Sequence, residues 1–301
     1  MTVTDPENLN THISSEPSAR PAKKRSLSNL LVRFFTGMAV IPILVMVAFL
    51  GGWWLTVPIM FFMLVGVLEF YFIERRHGLQ NNALLGIIAA IMIMLAFHFQ
   101  MPILWQSAVI GTIIITFALE YGRGRVVRDS IYRTLTTVGG LFYIAFPMAF
   151  LVAIRQADAG YHWFFAYIYC TWGTDTLAYL IGNMFGKTKL APVLSPKKTV
   201  EGAIGGIIAG TLLPLGVLHQ GDIDITFVVT VMFFIATLAA IVGDLLESVV
   251  KRYFGVKDSH IPGFNVIPGH GGVLDRIDST LLVAPVFYIY LVWMGEIALN
   301  F

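Results

Sequence analysis

Two acidic pairs stand out in the last third of the chain: Asp244 and Glu247 in "GDLLESVVKR", and Asp275 and Asp278 in "GGVLDRIDS". A separation of three places both members of a pair on one face of a helix. Two such faces turned toward each other make an all-oxygen site, which suits Mg²⁺ or Mn²⁺ rather than zinc. A further carboxylate, Asp175, lies in the apolar stretch "CTWGTDTLAYLIGNMFG". Basic residues flank these acids: Lys197 and Lys198 after a Ser-Pro turn, then Lys251, Arg252, Lys257 and Arg276. Carboxylates for a cation and lysine or arginine for phosphate are the working parts of nucleotide chemistry. The segment "PGHGG" ends in His270, Gly271 and Gly272, where small residues permit close backbone approach to an anion. No Walker A pattern, G-x-x-x-x-G-K-S/T, occurs.

Each of these features has an ordinary reading when taken singly. Lys197–Lys198 and Lys251–Arg252 fit topological charge beside a membrane, Asp275 fits a helix-start acid, and His270 fits a structural role. Asp175 alone fits an ion relay in a transporter. Their concentration in one half of the chain is what favours chemistry.

The elements that carry these residues are apolar. The 301-residue chain is 57% hydrophobic and 13% charged, with mean hydropathy +0.77. A soluble domain carries about 25% charged residues. The apolar runs approach bilayer-spanning length and do not alternate, so the pattern predicts an all-α, polytopic integral membrane protein and not a β-barrel. About nine transmembrane helices are expected, near 30–51, 53–73, 83–99, 102–121, 135–154, 162–183, 202–218, 225–247 and 277–296. With the N-terminus cytoplasmic, every Lys and Arg but Arg155 falls in the tail or in a cytoplasmic connection, as the positive-inside rule requires. Residues 1–27 are polar and lack apolar periodicity, which predicts a disordered cytoplasmic tail. Residues 28–154 read as N-terminal transmembrane helices and 155–301 as C-terminal ones bearing the catalytic site. The lone Cys170 excludes an internal disulfide and a cysteine zinc cluster.

The stretch "SVVKRYFGVKDSHIPGFNVIPGHGGVLDRIDS" resembles the signature of the phosphatidate cytidylyltransferases, S-x-x-K-R-x-x-G-x-K-D followed by P-G-H-G-G-x-x-D-R-x-D. Ser248, Lys251, Arg252, Lys257, Asp258, Pro268, Gly269, His270, Gly271, Gly272, Asp275, Arg276 and Asp278 match it. The upstream "DTLAYLIGNMFGKTKLAPVLSPKKTVEGAIGG" is similar to a second block of that family. The likeness is specific from about 171 to 290 and general before 150. Two departures are the linker "HIPGFNVI", about four residues longer than the pattern, and Val200, where the family has an aromatic residue.

The resemblance implies transfer of a cytidylyl group from CTP to phosphatidate, giving CDP-diacylglycerol and pyrophosphate with Mg²⁺. On this expectation Asp244, Asp275 and Asp278, helped by Asp175, hold the cation, and the number of carboxylates leaves room for a second. Lys197, Lys198, Lys251, Arg252, Lys257 and Arg276 share the phosphate charge, and Ser195 and Thr199 donate hydrogen bonds to phosphate. His270, Gly271 and Gly272 line the substrate. Glu247 and Asp258 serve as ligands or orient the basic residues. The family implies a homodimer; no nucleic acid is expected as a partner. The expected location is a bacterial inner membrane with the site facing the cytoplasm. A secondary transporter is the main rival. A CDP-alcohol phosphotransferase is disfavoured because its D-G-x-x-A-R motif is absent.

Overall fold

The computed structural model describes residue 42, residues 45–255, Ser259 and residues 272–297. The expected tail 1–27 and the candidate residues Lys257, Asp258, His270 and Gly271 lie outside the described residues.

Helical residues 45–50 lead into α1 (Gly52–Arg76), α2 (Ala83–His98), α3 (Pro102–Gly122), α4 (Val127–Gly140), a π-turn (Leu141–Ala145), α5 (Phe146–Gln156) and α6 (Gly160–Phe185). Strands β1 (Lys189–Ala191) and β2 (Ser195–Thr199) follow, then α7 (Val200–Gln220), α8 (Phe227–Tyr253) and α9 (Leu274–Met294). This is a helical membrane protein, with one small hairpin among the described residues. Among the described residues, six rods are long and apolar enough to cross a bilayer: α1, α3, the rod 127–156, α7, α8 and α9. At 16 residues α2 is shorter, and α6, with 26 residues, is more polar because it carries the threonines and Asp175. The rod 127–156 starts eight residues before the expected 135 because Val127–Thr134 is amphipathic rather than apolar. Most of the first expected span, 30–51, lies outside the described residues.

Local chemistry sets the helix ends. Asn82 and Thr226 cap α2 and α8 by accepting from the N–H of Leu85 at 3.4 Å and of Val229 at 3.2 Å. The π-turn precedes Pro147, which has no N–H to donate back to the carbonyl four residues earlier, so the ladder widens there. Hydroxyls buried in the rods bond back one turn, as Thr112 does to Ala108, Thr134 to Ser130 and Thr237 to Phe233. Arg155, the one basic residue expected on the exterior side, donates to the carbonyls of Ala48 at 2.9 Å and Phe49 at 3.0 Å, closing the last turn of the first helix. The arginines after α3 also have a structural partner. The buried Glu120 takes Arg123, Arg125 and Arg133 at 2.6, 2.8 and 3.2 Å.

One apolar core runs through both halves of the chain. Met63 and Val67 of α1, Ile93 of α2, Ile154 of α5, Trp163 of α6, Phe233 of α8 and Phe287 of α9 are all buried in it. Two contacts in the C-terminal half are closer than side chains allow. Gly202 and Gly206 of α7 lie against α6: a Cβ on Gly202 would stand 2.6 Å from the Ala178 carbonyl oxygen, and one on Gly206 2.9 Å from that of Thr174. Small residues one turn apart let two membrane helices touch backbone to backbone. At Gly243 a Cβ would stand 2.8 Å from the Asp278 carbonyl oxygen, so α8 and α9 approach closely beside Asp244. Gly243→Val is expected to lower stability by about 1–3 kcal/mol through overpacking. Thermal unfolding of the detergent-solubilised protein reads this, and an unchanged midpoint would contradict the close crossing.

Candidate active site

Residues Asp244, Glu247 and Lys251 follow each other on one face of α8, at spacings of three and four. The start of α9 brings Asp275 and Asp278 up to that face. Carboxylate oxygens of Asp244, Glu247 and Asp278 all lie within 4.8 Å of one another. Three acids from two helices thus converge where α8 and α9 cross.

The fourth acid, Asp275, lies outside that triangle and has other partners. Lys251 Nζ sits 2.5 Å from Glu247 Oε2 and 3.3 Å from Asp275 Oδ1, joining the two carboxylates. The other oxygen, Asp275 Oδ2, accepts from the backbone N–H of Ser259 at 3.3 Å and of Gly272 at 3.2 Å. The Gly272 N–H, expected to face an anion, is therefore engaged within the protein. Asp175, on α6, accepts from Ser279 Oγ at 3.3 Å, and Ser279 N donates to Asp278 Oδ1 at 2.8 Å. Asp175 is thus tied to the triangle through one serine, and its charge and that of Asp244 act on each other.

The hairpin supplies the basic side. Strands β1 and β2 pair antiparallel, with Lys189 opposite Thr199 and Ala191 opposite Ser195. Thr199 ends β2 and caps α7, its Oγ1 accepting from Gly202 N at 3.2 Å. Lys198 forms an ion pair with Asp244. A cavity of about 500 Å³ opens here, lined by Asp175, Asn183, Lys189, Lys197, Lys198 and Asp244 among others. That is within the ordinary size for a small-molecule site. Ser195 starts β2 and is not among the lining residues. Arg252 and Arg276 are exposed on the sides of α8 and α9. A larger cavity of about 620 Å³, walled by Phe97, Trp105, Phe146, Phe150 and Tyr288, contains none of these candidate residues. The smaller one borders the charged groups.

The donor set fits a divalent cation. Glu247 is 2% exposed, and its Oε1 is buried with no hydrogen-bond partner among the described residues. A buried carboxylate with one oxygen lacking a donor, grouped with the carboxylates of Asp244 and Asp278 and with Asp275 beside it, is a costly arrangement that a cation relieves. Hard, all-oxygen ligands suit Mg²⁺ or Mn²⁺, which keep water and substrate phosphate in their remaining positions.

The residues carrying motifs do not include Glu69. This side chain, in the last third of α1, is 2% exposed and accepts from Ser259 Oγ at 3.1 Å, Val273 N at 3.0 Å and Leu274 N at 2.8 Å. The signal that marks Asp175, an acid inside an apolar run, was equally present at "VGVLEFYF".

Fold and site together define a helical integral membrane protein with an acidic cluster, suited to a divalent cation, beside a lysine-lined cavity. Residues 31–294 match the model of the cytidylyltransferase family, and the chain belongs to that family. This is the family that the signature resembles. Relatives include phosphatidate cytidylyltransferases of Staphylococcus aureus (strain COL), 41% identical over 146 residues, 48% of this chain and 55% of the relative. That of Staphylococcus haemolyticus (strain JCSC1435) is 39% identical over 153 residues, 50% of this chain and 56% of the relative. That of Aquifex aeolicus (strain VF5) is 35% identical over 203 residues, 66% and 69% respectively. The chain thus spans a little over half the length of the staphylococcal relatives it matches.

Lys251→Met would leave Glu247 and Asp275 adjacent with their shared cation gone. It is expected to cost about 3–5 kcal/mol, the usual penalty for breaking a buried pair. Lys251→Met combined with Glu247→Gln should recover part of that loss. Chemical unfolding of the single and double variants measures the coupling, and strictly additive losses would refute the shared pairing.

Proposed function

We propose that this protein is a phosphatidate cytidylyltransferase of a bacterial inner membrane, with its active site at the cytoplasmic face. The observation that carries the reading is the Asp244–Glu247–Asp278 triangle beside the cavity of Lys197 and Lys198, in a chain of the cytidylyltransferase family. CTP arrives from water and phosphatidate from the bilayer, so a polar cavity at the end of the membrane helices suits both.

A lipid phosphate monoester has a second pKa near 6 and is mostly dianionic at neutral pH. It needs no strong general base. The obstacle is the approach of two polyanions. Lys197, Lys198 and Lys189 at the cavity wall draw in the triphosphate. Lys198 exchanges its pairing with Asp244 for a CTP phosphate. Lys251 holds Glu247 and Asp275 in place, and Ser279 holds Asp175 and Asp278. Arg252 and Arg276, exposed at the helix ends, bind the lipid phosphate. Asp244, Glu247 and Asp278 would hold Mg²⁺, and Asp175 would add its negative charge beside them. When bound, the ion screens phosphate charge and stabilises the charge passing to pyrophosphate. A phosphatidate oxygen attacks the α-phosphorus in line, the new P–O bond forms, and the bond to the β-phosphate oxygen breaks with its electron pair leaving on pyrophosphate. The long apolar helices on either side keep the acyl chains in lipid.

The test supplies purified protein with CTP, phosphatidate and Mg²⁺ and measures pyrophosphate and CDP-diacylglycerol. Turnover is expected with Mg²⁺ and none with chelator. Asp244→Asn and Asp278→Asn should each cut the rate by about 10³-fold, roughly 4 kcal/mol of transition-state stabilisation. Normal rates in both variants would overturn the site. Ion flux without pyrophosphate release would point to a transporter instead.

A further inference from the structure

We propose that Glu69 is a positioning residue of the cation site, acting from the N-terminal half on the helix that carries Asp275 and Asp278. The inference rests on the site proposed above and adds a member that lies outside both sequence motifs.

The start of α9 has an unusual cap. A helix leaves its first N–H groups without partners inside the helix. The residue before α9, Val273, has no side chain able to cap it, and α9 has no side-chain cap of its own. Glu69 fills that role from 204 residues away in sequence: Oε1 takes the N–H of Val273, and Oε2 takes the N–H of Leu274 and the hydroxyl of Ser259. Asp275 takes the N–H of Gly272 and of Ser259 alongside. Two neighbouring carboxylates thus hold Ser259 and residues 272–274 together, one from α1 and one from α9.

A role limited to neutralising the helix end does not need this geometry, because a serine or aspartate at position 273 would do so locally. Reaching from α1 instead makes the rotation and height of α9 depend on the N-terminal helices. Asp278 lies one turn beyond Leu274. Its distance from Asp244 and Glu247 therefore follows from where Glu69 holds that first turn. Among the described residues, every hydrogen bond of the Glu69 side chain runs to Ser259 or the start of α9, none to α6 or the hairpin that line the cavity. Glu69 should therefore affect the cation and the chemical step more than capture of the nucleotide.

Glu69→Gln keeps the size but places an amide NH₂ against N–H donors, so one of the three bonds becomes a repulsion. Loss of such a supporting partner weakens metal sites roughly 10–100-fold. The test measures Mn²⁺ binding by electron paramagnetic resonance on the full-length protein without substrates, per folded molecule, beside kcat and the KM for CTP. Glu69→Gln is expected to weaken Mn²⁺ at least about tenfold and to lower kcat by a like factor, with KM for CTP within about twofold of wild type. Glu69→Asp, which keeps the acceptors, should restore much of both. If Glu69→Gln fails to fold, Glu69→Asp carries the test, with a smaller but measurable weakening of about threefold expected. Asp278→Asn serves as the reference. Wild-type Mn²⁺ affinity in Asp278→Asn would overturn the cation site itself. Weakened binding in Asp278→Asn with wild-type affinity in the folded Glu69 variant would overturn only the positioning role. A Glu69 variant that loses thermal stability but keeps wild-type Mn²⁺ affinity and kcat would likewise make Glu69 merely structural.

Discussion

A carboxylate held away from water must be offset by a partner, and this constraint organises the structure. An unpaired charge in a low-dielectric interior costs several kcal/mol. The chain buries Glu69, Glu74, Glu120 and Glu247 almost completely. Glu120 is offset by three arginines, Glu74 by Asn81 at 2.8 Å, and Glu69 by two backbone N–H groups and a serine hydroxyl. Glu247 has Lys251 on Oε2 and the Asp275 carboxyl beside it, and among the described residues its Oε1 has no hydrogen-bond partner. That difference separates the acids that hold the fold together from the one that faces the proposed cation.

Close helix contact serves the same end. Side chains of ordinary size between α8 and α9 would keep Asp244 and Asp278 too far apart to share an ion. Gly243 removes that spacing at the crossing itself. The glycines of α7 do the equivalent against α6, and the hairpin that carries Lys197 and Lys198 hangs between those two helices. Membrane helices gain little from apolar burial against one another, because lipid is equally apolar. Backbone contact and polar pairing supply the specificity, and both occur beside the charged cavity.

The membrane class, the helix positions from 53 onward and the acidic pairs were legible in the chain because they depend on local composition and spacing. The apolar runs located these helices except for the amphipathic start of α4, and the three-residue spacing located the face of α8 that carries Asp244 and Glu247. The family was legible too, since its signature is contiguous. Sorting the acids was not. Asp275 and Asp278 look equivalent in sequence, yet Asp278 joins Asp244 and Glu247 while Asp275 turns to Lys251 and the N–H groups of Ser259 and Gly272. Helical rotation by three residues is not a whole turn, so two acids on one face still point to different neighbours.

What the chain determined by itself was therefore which segments form apolar helices and which residue types could do chemistry, because periodicity, hydropathy and motif spacing act over a few residues. Only the tertiary structure decided which of those residues meet. Glu69 reaches the start of α9 across more than two hundred residues, and Lys198 of the hairpin finds Asp244 of α8. Contacts of that kind arise from how rigid helices pack and from the cost of leaving buried polar groups unpaired, and neither leaves a local mark in the sequence.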